Sequence, residues 1–269
     1  MLKRLRPIII ICVAVIITAA AYFIIALQRN YVFPILMYHQ VLPDPDPRYK
    51  LAVSVRSFER QMEFLHDRHY NVITVEELAG ILKKKQPVPK HSVAITFDDG
   101  YIDNYVYAFP ILKKYGLKAT MFIITNEVGR INSAGNRDRL SWEEILEMQA
   151  SGLIAIGSHC LGPDPLTKIG SEEGLRRQIF DSRKVLEHKL GRAVNIFSYP
   201  EGRFNDKIKE LVIEAGYTAA VATNPGKKNP NDDIYALKRL RISSSSNNMF
   251  VFWFEISGYY NFMRERRHK

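Results

Sequence analysis

The chain has little cysteine, with only two such residues among 269. Cys12 lies in an apolar stretch near the N-terminus and Cys160 is alone in the remainder, so no intrachain disulfide can form there. The sequence also lacks internal repeats of the length that builds solenoids or propellers. With 46% hydrophobic and 25% charged residues, the composition is that of an ordinary globular protein and excludes disordered, collagen-like and coiled-coil chains.

Acidic residues are also scarce, since 28 of them face 38 lysines and arginines and leave a formal charge of +10. The excess is concentrated at the ends of the sequence: the first thirty residues carry +4 and residues 264–269 carry +3, so only +3 remains for everything between. A groove for nucleic acid would place its basic residues within the fold. We therefore expect no nucleic-acid partner.

Residues 8–27 form a run of twenty without a charge. As a helix the run would be roughly 30 Å long, the thickness of the hydrocarbon core of a bilayer. Three basic residues precede it and only Arg29 closely follows, which predicts a cytoplasmic N-terminus. We predict a transmembrane signal-anchor within residues 1–30, with the rest of the chain extracytoplasmic and bound to the cell membrane through this single pass. A signal peptide cleaved near Ala19–Ala21 is the alternative.

Beyond residue 30, short β-branched runs alternate with amphipathic stretches. The clearest predicted strand is Ser92–Phe97, and Ser141 with Glu144 forms a capping box at the start of a helix. At least six such alternations predict an α/β protein with a parallel sheet and external helices, most simply a (β/α) barrel of an incomplete or distorted, seven-stranded type. An open doubly wound sheet is the alternative. We divide this part into an N-terminal extension, 31–90, packed on the barrel, and a catalytic domain, 91–269.

Polar residues follow several of the predicted strands. In a (β/α) barrel such positions meet at one rim, where reactive groups lie. Adjacent Asp98 and Asp99 can divide their work, because side chains alternate along a strand: one can hold a cation while the other acts as a base on water. A simple Asp-Asp-Gly turn is the alternative. The residues concerned are His39, Asp98-Asp99, Ser158-His159, Tyr199-Pro200 and Thr223-Asn224.

Five segments together give the sequence a family resemblance over about residues 34–245. It resembles the polysaccharide deacetylases of carbohydrate esterase family 4, which share the NodB homology domain, and in particular a membrane or secreted subgroup that includes poly-N-acetylglucosamine deacetylases. The segments are TFDDGY at 96–101, SH at 158–159 followed by LTKI at 166–169, FSYPEGRFN at 197–205, ILMYHQV at 35–41 and YALKRLRI at 235–242.

The resemblance implies a metal-dependent hydrolase that removes N-acetyl groups from an amino-sugar polymer of the cell envelope. By matching positions, Asp98 would be the general base, His39 the general acid, and Asp99 and His159 ligands of a divalent metal ion. Zinc is the first choice for that ion, with cobalt, manganese or nickel also acceptable. The segment Tyr199, Pro200, Glu201 and Gly202 would line the substrate groove.

Two departures from the family pattern qualify this interpretation. The family places a second ligand histidine four residues after the first, where this sequence has Pro163. Asp164 could supply an oxygen ligand instead. The segment at Tyr199–Pro200 also lacks the arginine that orients the base in some relatives, so we expect Asp98 to be positioned differently. A catalytically weakened, glycan-binding relative and a different hydrolase using the same rim therefore remain as alternatives.

Overall fold

The computed structural model describes residues 13–22, 31–46, 48–223 and 233–260. In the first of these ranges the chain is helical (α1, residues 13–22) and its side chains are exposed. None of the helices within the four ranges combines the length and the apolar character needed to cross a membrane. Half of the predicted anchor at 8–27 lies outside the described residues, as do Asn224 and the basic residues at 264–269.

Eleven strands are present in the described ranges, most of them short and buried. They are β1 (Ile35–Tyr38), β2 (Gln40–Leu42), β3 (Ala52–Ser54), β4 (Asn71–Val72), β5 (Ser92–Phe97), β6 (Ala119–Ile123), β7 (Ile154–Ser158), β8 (Ile196–Ser198), β9 (Ala219–Ala222), β10 (Leu237–Lys238) and β11 (Leu240–Arg241).

Helices separate most of these strands, as the alternating pattern predicts. Two π-helical turns, Asn104–Ala108 and Arg177–Asp181, adjoin regular helices. The helices after α1 are α2 (Val55–Asp67), α3 (Val75–Lys83), α4 (Phe109–Tyr115), α5 (Trp142–Ala150), α6 (Glu172–Arg176), α7 (Ser182–Leu190), α8 (Asp206–Glu214) and α9 (Met249–Glu255).

The strands form a nearly closed parallel barrel. Its order is β1, β5, β6, β7, β8 and β9, and the stretch 237–241 completes it. That stretch pairs through β10 with β9 and through β11 with β1, so it joins the last strand to the first. Seven strands therefore surround the axis, which confirms the predicted (β/α) barrel over the open doubly wound sheet. We call the end at which the strands finish the rim and the opposite end the floor.

Local sequence explains the main elements. All six residues of β5 are buried, as its continuous apolar run predicts for a parallel strand. The predicted capping box at the start of α5 is confirmed, since Ser141 and Glu144 each bond the other's backbone N–H. Helices α4 and α7 end at Gly116 and Gly191 in the left-handed conformation that glycine favours at this position.

Helix α3 lies across the floor and closes the barrel there. Its buried side chains belong to the same apolar cluster as inward-facing residues of the strands. The larger cluster lies between the strands and the outer helices. Both β1 and α3 come from the predicted extension 31–90, so this segment contributes a strand to the barrel and covers one end of it. The floor cluster includes Phe33, Ile35, Ile73, Val75, Leu78, Ala79, Ala94, Phe122, Ile196, Ala219, Val221 and Leu237.

Candidate active site

The rim brings together four of the residues that the sequence predicts, and adds an arginine. Asp98 and Asp99 follow β5, His159 follows β7 and His39 follows β1. These strands are parallel neighbours or near neighbours in the barrel, so their ends converge. The fifth residue, Arg239, stands between β10 and β11, where the barrel closes.

Asp98 forms a buried, bidentate ion pair with Arg239. Both distances between guanidinium nitrogens and carboxylate oxygens are 2.7 Å, and each residue is only 3% exposed. The guanidinium also donates to the Thr96 hydroxyl at 3.2 Å and to the Ser198 hydroxyl at 3.0 Å. Burial alone would raise the pKa of Asp98, but the charges of Arg239 and His159 outweigh it and lower the pKa to about 2. Asp98 is therefore a fixed carboxylate at neutral pH.

Asp99 faces His159 rather than Arg239. The distance from Asp99 Oδ1 to His159 Nε2 is 3.4 Å, and Asp98 Oδ2 lies 3.9 Å from the same nitrogen. The ring is oriented by its other nitrogen, since His159 Nδ1 is 2.8 Å from the carbonyl oxygen of Ser198 and donates to it. Burial acts to lower the pKa of His159, but Asp98 and Asp99 more than compensate and raise it. At Asp99, burial acts to raise the pKa, but the contact with His159 outweighs burial and lowers the pKa.

The turn after β5 separates the two carboxylates. Asp99 has a φ of 70° and Gly100 a φ of 65°, so two successive residues adopt the left-handed conformation. Aspartate tolerates this conformation better than most residues, although it still costs energy, and such strain is typical of functional sites. The turn lets neighbours in sequence contact different partners, Arg239 and His159. Asp98 and Asp99 thus have different contacts, and their division into a base and a cation ligand stays a prediction.

His39 lies beside this group and is only partly exposed. Among the described residues its Nδ1 is buried without a hydrogen-bond partner. Burial is the main effect on the pKa of His39 and lowers it. The charges of Arg239 and His159 also lower this pKa, and the charges of Asp98 and Asp99 only partly offset the decrease. The imidazole is consequently neutral for most of the time at pH 7 in the resting site.

The chain immediately after His39 is fixed by Asp103. One Asp103 oxygen accepts from the backbone N–H of Val41 and the other from the side-chain amide of Gln40, both at 2.9 Å. Asp103 is 5% exposed, and burial raises its pKa to about 6 despite these bonds. Asp103 therefore ties the segment that carries His39 to the segment that carries the two aspartates.

The segment predicted to line the groove is mostly buried. Tyr199 has no exposed surface, and its ring stacks on Phe204 at a centroid distance of 4.4 Å. Pro200 is buried as well, whereas Glu201 is exposed. Gly202 has a φ of +67°, and a Cβ there would lie 2.4 Å from the backbone nitrogen of Thr223, so only glycine fits. The Tyr199 ring thus packs in the core and Glu201 is the accessible side chain of the segment; that residues 199–202 line the substrate groove stays a prediction.

Asp99 and His159 suit a divalent ion as two ligands. Two donors that each lie about 2.1 Å from one tetrahedral ion are about 3.4 Å apart, the separation found here. The bond from His159 Nδ1 to a backbone carbonyl is the usual support of a metal-binding histidine, because it leaves Nε2 free to bind. Both donor types, carboxylate oxygen and imidazole nitrogen, are accepted by zinc.

Among the described residues, a third protein ligand is not in place. Pro163 and Asp164 are both exposed, and the structure does not bring Asp164 to the pair. Cys160 is fully buried, and burial raises the pKa of its thiol well above the ordinary value, so it is not a candidate. Within the ranges that the structure describes, no three His, Cys, Asp or Glu side chains form a group able to hold a metal ion. Asp164 as a ligand stays a prediction without structural support.

Arg239 is the residue that sequence reasoning missed. The expected loss of the base-orienting arginine near Tyr199 is correct for that segment, but Arg239 reaches Asp98 from 141 residues further along the chain. A signal was present, because Arg239 lies among the apolar residues of YALKRLRI at 235–242, one of the segments that carry the family resemblance. A charged residue within a buried strand requires a partner, and two carboxylates were already predicted at the rim.

Comparisons with known proteins agree with this geometry. Residues 85–220 match the family model described as polysaccharide deacetylase. The chain is 35% identical to YxkH of Bacillus subtilis, over 78% of this chain and 71% of YxkH. It is 32% identical to a poly-beta-1,6-N-acetyl-D-glucosamine N-deacetylase of Staphylococcus aureus, over 72% of this chain and 69% of that protein. The structure of the Streptococcus pyogenes deacetylase PplD in complex with acetate superposes with a TM-score of 0.71 at 29% identity, covering 81% of this chain and 96% of PplD.

Proposed function

The chain belongs to the polysaccharide deacetylase family, and from this membership we propose that it hydrolyses N-acetyl groups of an N-acetylglucosamine polymer in the cell envelope. The observation that carries the proposal is the buried pair of Asp98 and Arg239 beside Asp99, His159 and His39 at one rim. The name of the Staphylococcus aureus relative supports the substrate class. Acetate, bound in PplD, is the acyl product that such a hydrolysis releases.

Asp98 is assigned the role of general base. In the reaction a water oxygen bonds to the amide carbonyl carbon while the water proton passes to a carboxylate oxygen of Asp98. A carboxylate with a pKa of about 2 is a weak base in the resting site. Burial acts upward on this pKa, but Asp98 is already only 3% exposed, so the charges of Arg239 and His159 determine its low value. Arg239 keeps the carboxylate in one orientation throughout.

His39 is assigned the role of general acid. When the bond between the carbonyl carbon and nitrogen breaks, the departing amine needs a proton, which His39 donates; acetate and a free amino group are the products. Because burial lowers the pKa of His39 and leaves the resting imidazole mostly neutral, His39 takes up a proton from solvent before this step, and the charges of Asp98 and Asp99 stabilise that proton. Asp103 contributes by fixing the two residues that follow His39.

Asp99 and His159 are the residues that would hold a divalent cation, zinc in the first instance. A cation bound there would supply Lewis-acid polarisation of the attacking water and of the amide carbonyl. The third ligand expected from the family pattern is missing at Pro163, which favours a site with two protein ligands. This is also the observation that keeps a second candidate function open, namely a glycan-binding relative with little activity.

The test of the function is acetate release from N-acetylglucosamine oligomers by the purified full-length protein. The protein is stripped of metal and then supplied with zinc, cobalt, manganese or nickel, one at a time. Metal-dependent release that is lost in Asp98→Asn supports a deacetylase with an unusual ligand set. No release with any metal, together with release by Pro163→His, would replace it with the glycan-binding alternative.

We also propose that residues 8–27 hold the protein at the cell membrane with the barrel outside the cytoplasm. The support is the charge-free run of twenty residues and the basic residues that precede it. The mass of the protein isolated from the membrane fraction tests this proposal. A chain that begins shortly after Ala21 would indicate cleavage instead.

A further inference from the structure

The floor of the barrel displays an exposed group of lysines. Helix α3 ends at Lys83, and the following segment reads KKQPVPKH up to His91, just before β5 begins. Lys83, Lys84, Lys85 and Lys90 are all exposed. Within the described ranges none of the four takes part in an ion pair. We call these four residues the floor lysines.

The floor lysines belong to an ordered part of the structure. Helix α3 is closed by bonds from Lys85 N–H to the Leu82 carbonyl at 2.9 Å and from Gln86 N–H to the Ile81 carbonyl at 3.0 Å. Val88, between two prolines, packs against the floor cluster and so anchors the segment between α3 and β5. The lysine backbones are therefore fixed before any partner arrives, which reduces the entropy lost on binding.

The acidic residues of α3 do not cancel this charge. Glu76 is already bonded to Asn195 at 2.6 Å and to Arg192 at 3.2 Å, and Glu77 is paired with Lys118 at 2.5 Å. The positive charge of the floor lysines is consequently left for an external partner of opposite sign.

Both ends of the described barrel lie at the same floor. Tyr31 packs against the floor cluster, as do Leu82 and Val88. The backbone N–H of Val32 donates to the carbonyl of Gly258 at 2.9 Å, so the residues that follow α9 lie beside those that precede β1. The charge-free run 8–27 precedes this point in the sequence, and the basic residues of 264–269 follow it.

The distances place the floor close to any membrane that contains residues 8–27. Four peptide steps separate residue 27 from Tyr31, and they span at most about 14 Å when fully extended. The negative potential of an anionic bilayer falls off over about one Debye length, roughly 8 Å at physiological ionic strength. When the tether is less than fully extended, the lysines around Tyr31 come within this potential, whereas the rim lies a full strand length further away.

We propose that the floor lysines form a docking surface for an anionic lipid bilayer, so that the rim and its carboxylates face away from the membrane. This inference rests on the proposed anchor at residues 8–27 but not on the proposed reaction. It orients the enzyme toward polymer outside the lipid surface and leaves the site open when the floor is engaged.

The test uses the full-length protein in vesicles of phosphatidylcholine alone or mixed with phosphatidylglycerol. The lysines are acetylated with an amine-reactive reagent, and the acetylation rate of each lysine is measured by mass spectrometry. Lys50 and Lys168, which are exposed and follow rim ends of strands in the chain, are the matched controls. A surface potential of about −30 mV concentrates protons roughly threefold and so slows amine labelling by about the same factor. We expect this slowing at the floor lysines only, and its reversal at high salt.

Two results would overturn the proposal: equal slowing at floor and rim lysines, or greater slowing of the floor lysines by a soluble polyanion than by the anionic vesicles. Flotation with phosphatidylcholine vesicles tests the anchor separately. Acetate release from soluble oligomers in the same preparations tests the reaction. An inactive protein with protected floor lysines would leave the docking surface standing, and an active one with unprotected lysines would refute it.

Discussion

Replacing Arg239 with glutamine should destabilise the fold strongly, because it leaves Asp98 charged and buried without its partner. The removal of one partner from a buried ion pair costs about 3–5 kcal/mol. The pKa of Asp98 gives an independent measure: a value of about 2 in place of 3.8 corresponds to roughly 2 kcal/mol of favourable net interaction at neutral pH. That figure is already reduced by the cost of burial, so the loss on breaking the pair should exceed it.

Urea unfolding at pH 7, followed by tryptophan fluorescence, measures this loss. Arg241→Gln is the matched control, because Arg241 is exposed only two residues along the same stretch and should change stability by less than about 0.5 kcal/mol. Combining Arg239→Gln with Asp98→Asn removes both charges. The double variant should be about 2–3 kcal/mol more stable than the sum of the single effects indicates. Additive effects, or an Arg239→Gln variant as stable as Arg241→Gln, would refute the assignment of this pair.

Three further predictions concern neighbouring parts of the structure. The folded pKa of Asp98 lies below its unfolded value, so the ionised Asp98 stabilises the fold above about pH 4. Roughly 2 kcal/mol of the free energy of unfolding should be lost as the pH falls toward 2. Urea unfolding at several pH values should show this loss in the wild type, and Asp98→Asn should lack this contribution. Asp103→Ala should lower kcat about tenfold with little change in KM, and Asp103→Asn, which keeps an acceptor for Val41, should restore most of it in steady-state assays. Gly202→Ala should cost more than about 2 kcal/mol in thermal unfolding, while Gly80→Ala, within α3 and with open space around it, should stabilise by about 0.5–1 kcal/mol.

The position of the site could be predicted from sequence because it depends on short-range patterns, namely the strands and the residues that directly follow them. Apolar β-branched runs identify strands, and parallel strands bring the residues that follow them to one rim. This reasoning placed Asp98, Asp99, His159 and His39 together without any knowledge of the strand order. The near-closed barrel followed from the number and spacing of the alternations.

The contacts that determine the chemistry could not be predicted in the same way. The pairing of Arg239 with Asp98 depends on how the stretch 237–241 closes the barrel against β9 and β1, which no local pattern reveals. The burial of Tyr199 depends on the direction of a side chain after its strand has ended, where the alternation no longer applies. The role of α3 depends on its docking across the floor, a long-range packing result.

The most direct test of the proposed activity is acetate release from a β-1,6-linked N-acetylglucosamine oligomer by full-length wild type and Asp98→Asn, each supplied with zinc. The two proteins are first matched for folded fraction by their unfolding curves. We predict release that is proportional to wild-type concentration and reduced at least a hundredfold in Asp98→Asn, the range expected for loss of a general base. Equal release by both proteins would contradict the assignment of Asp98, and no release by either would contradict the proposed deacetylase.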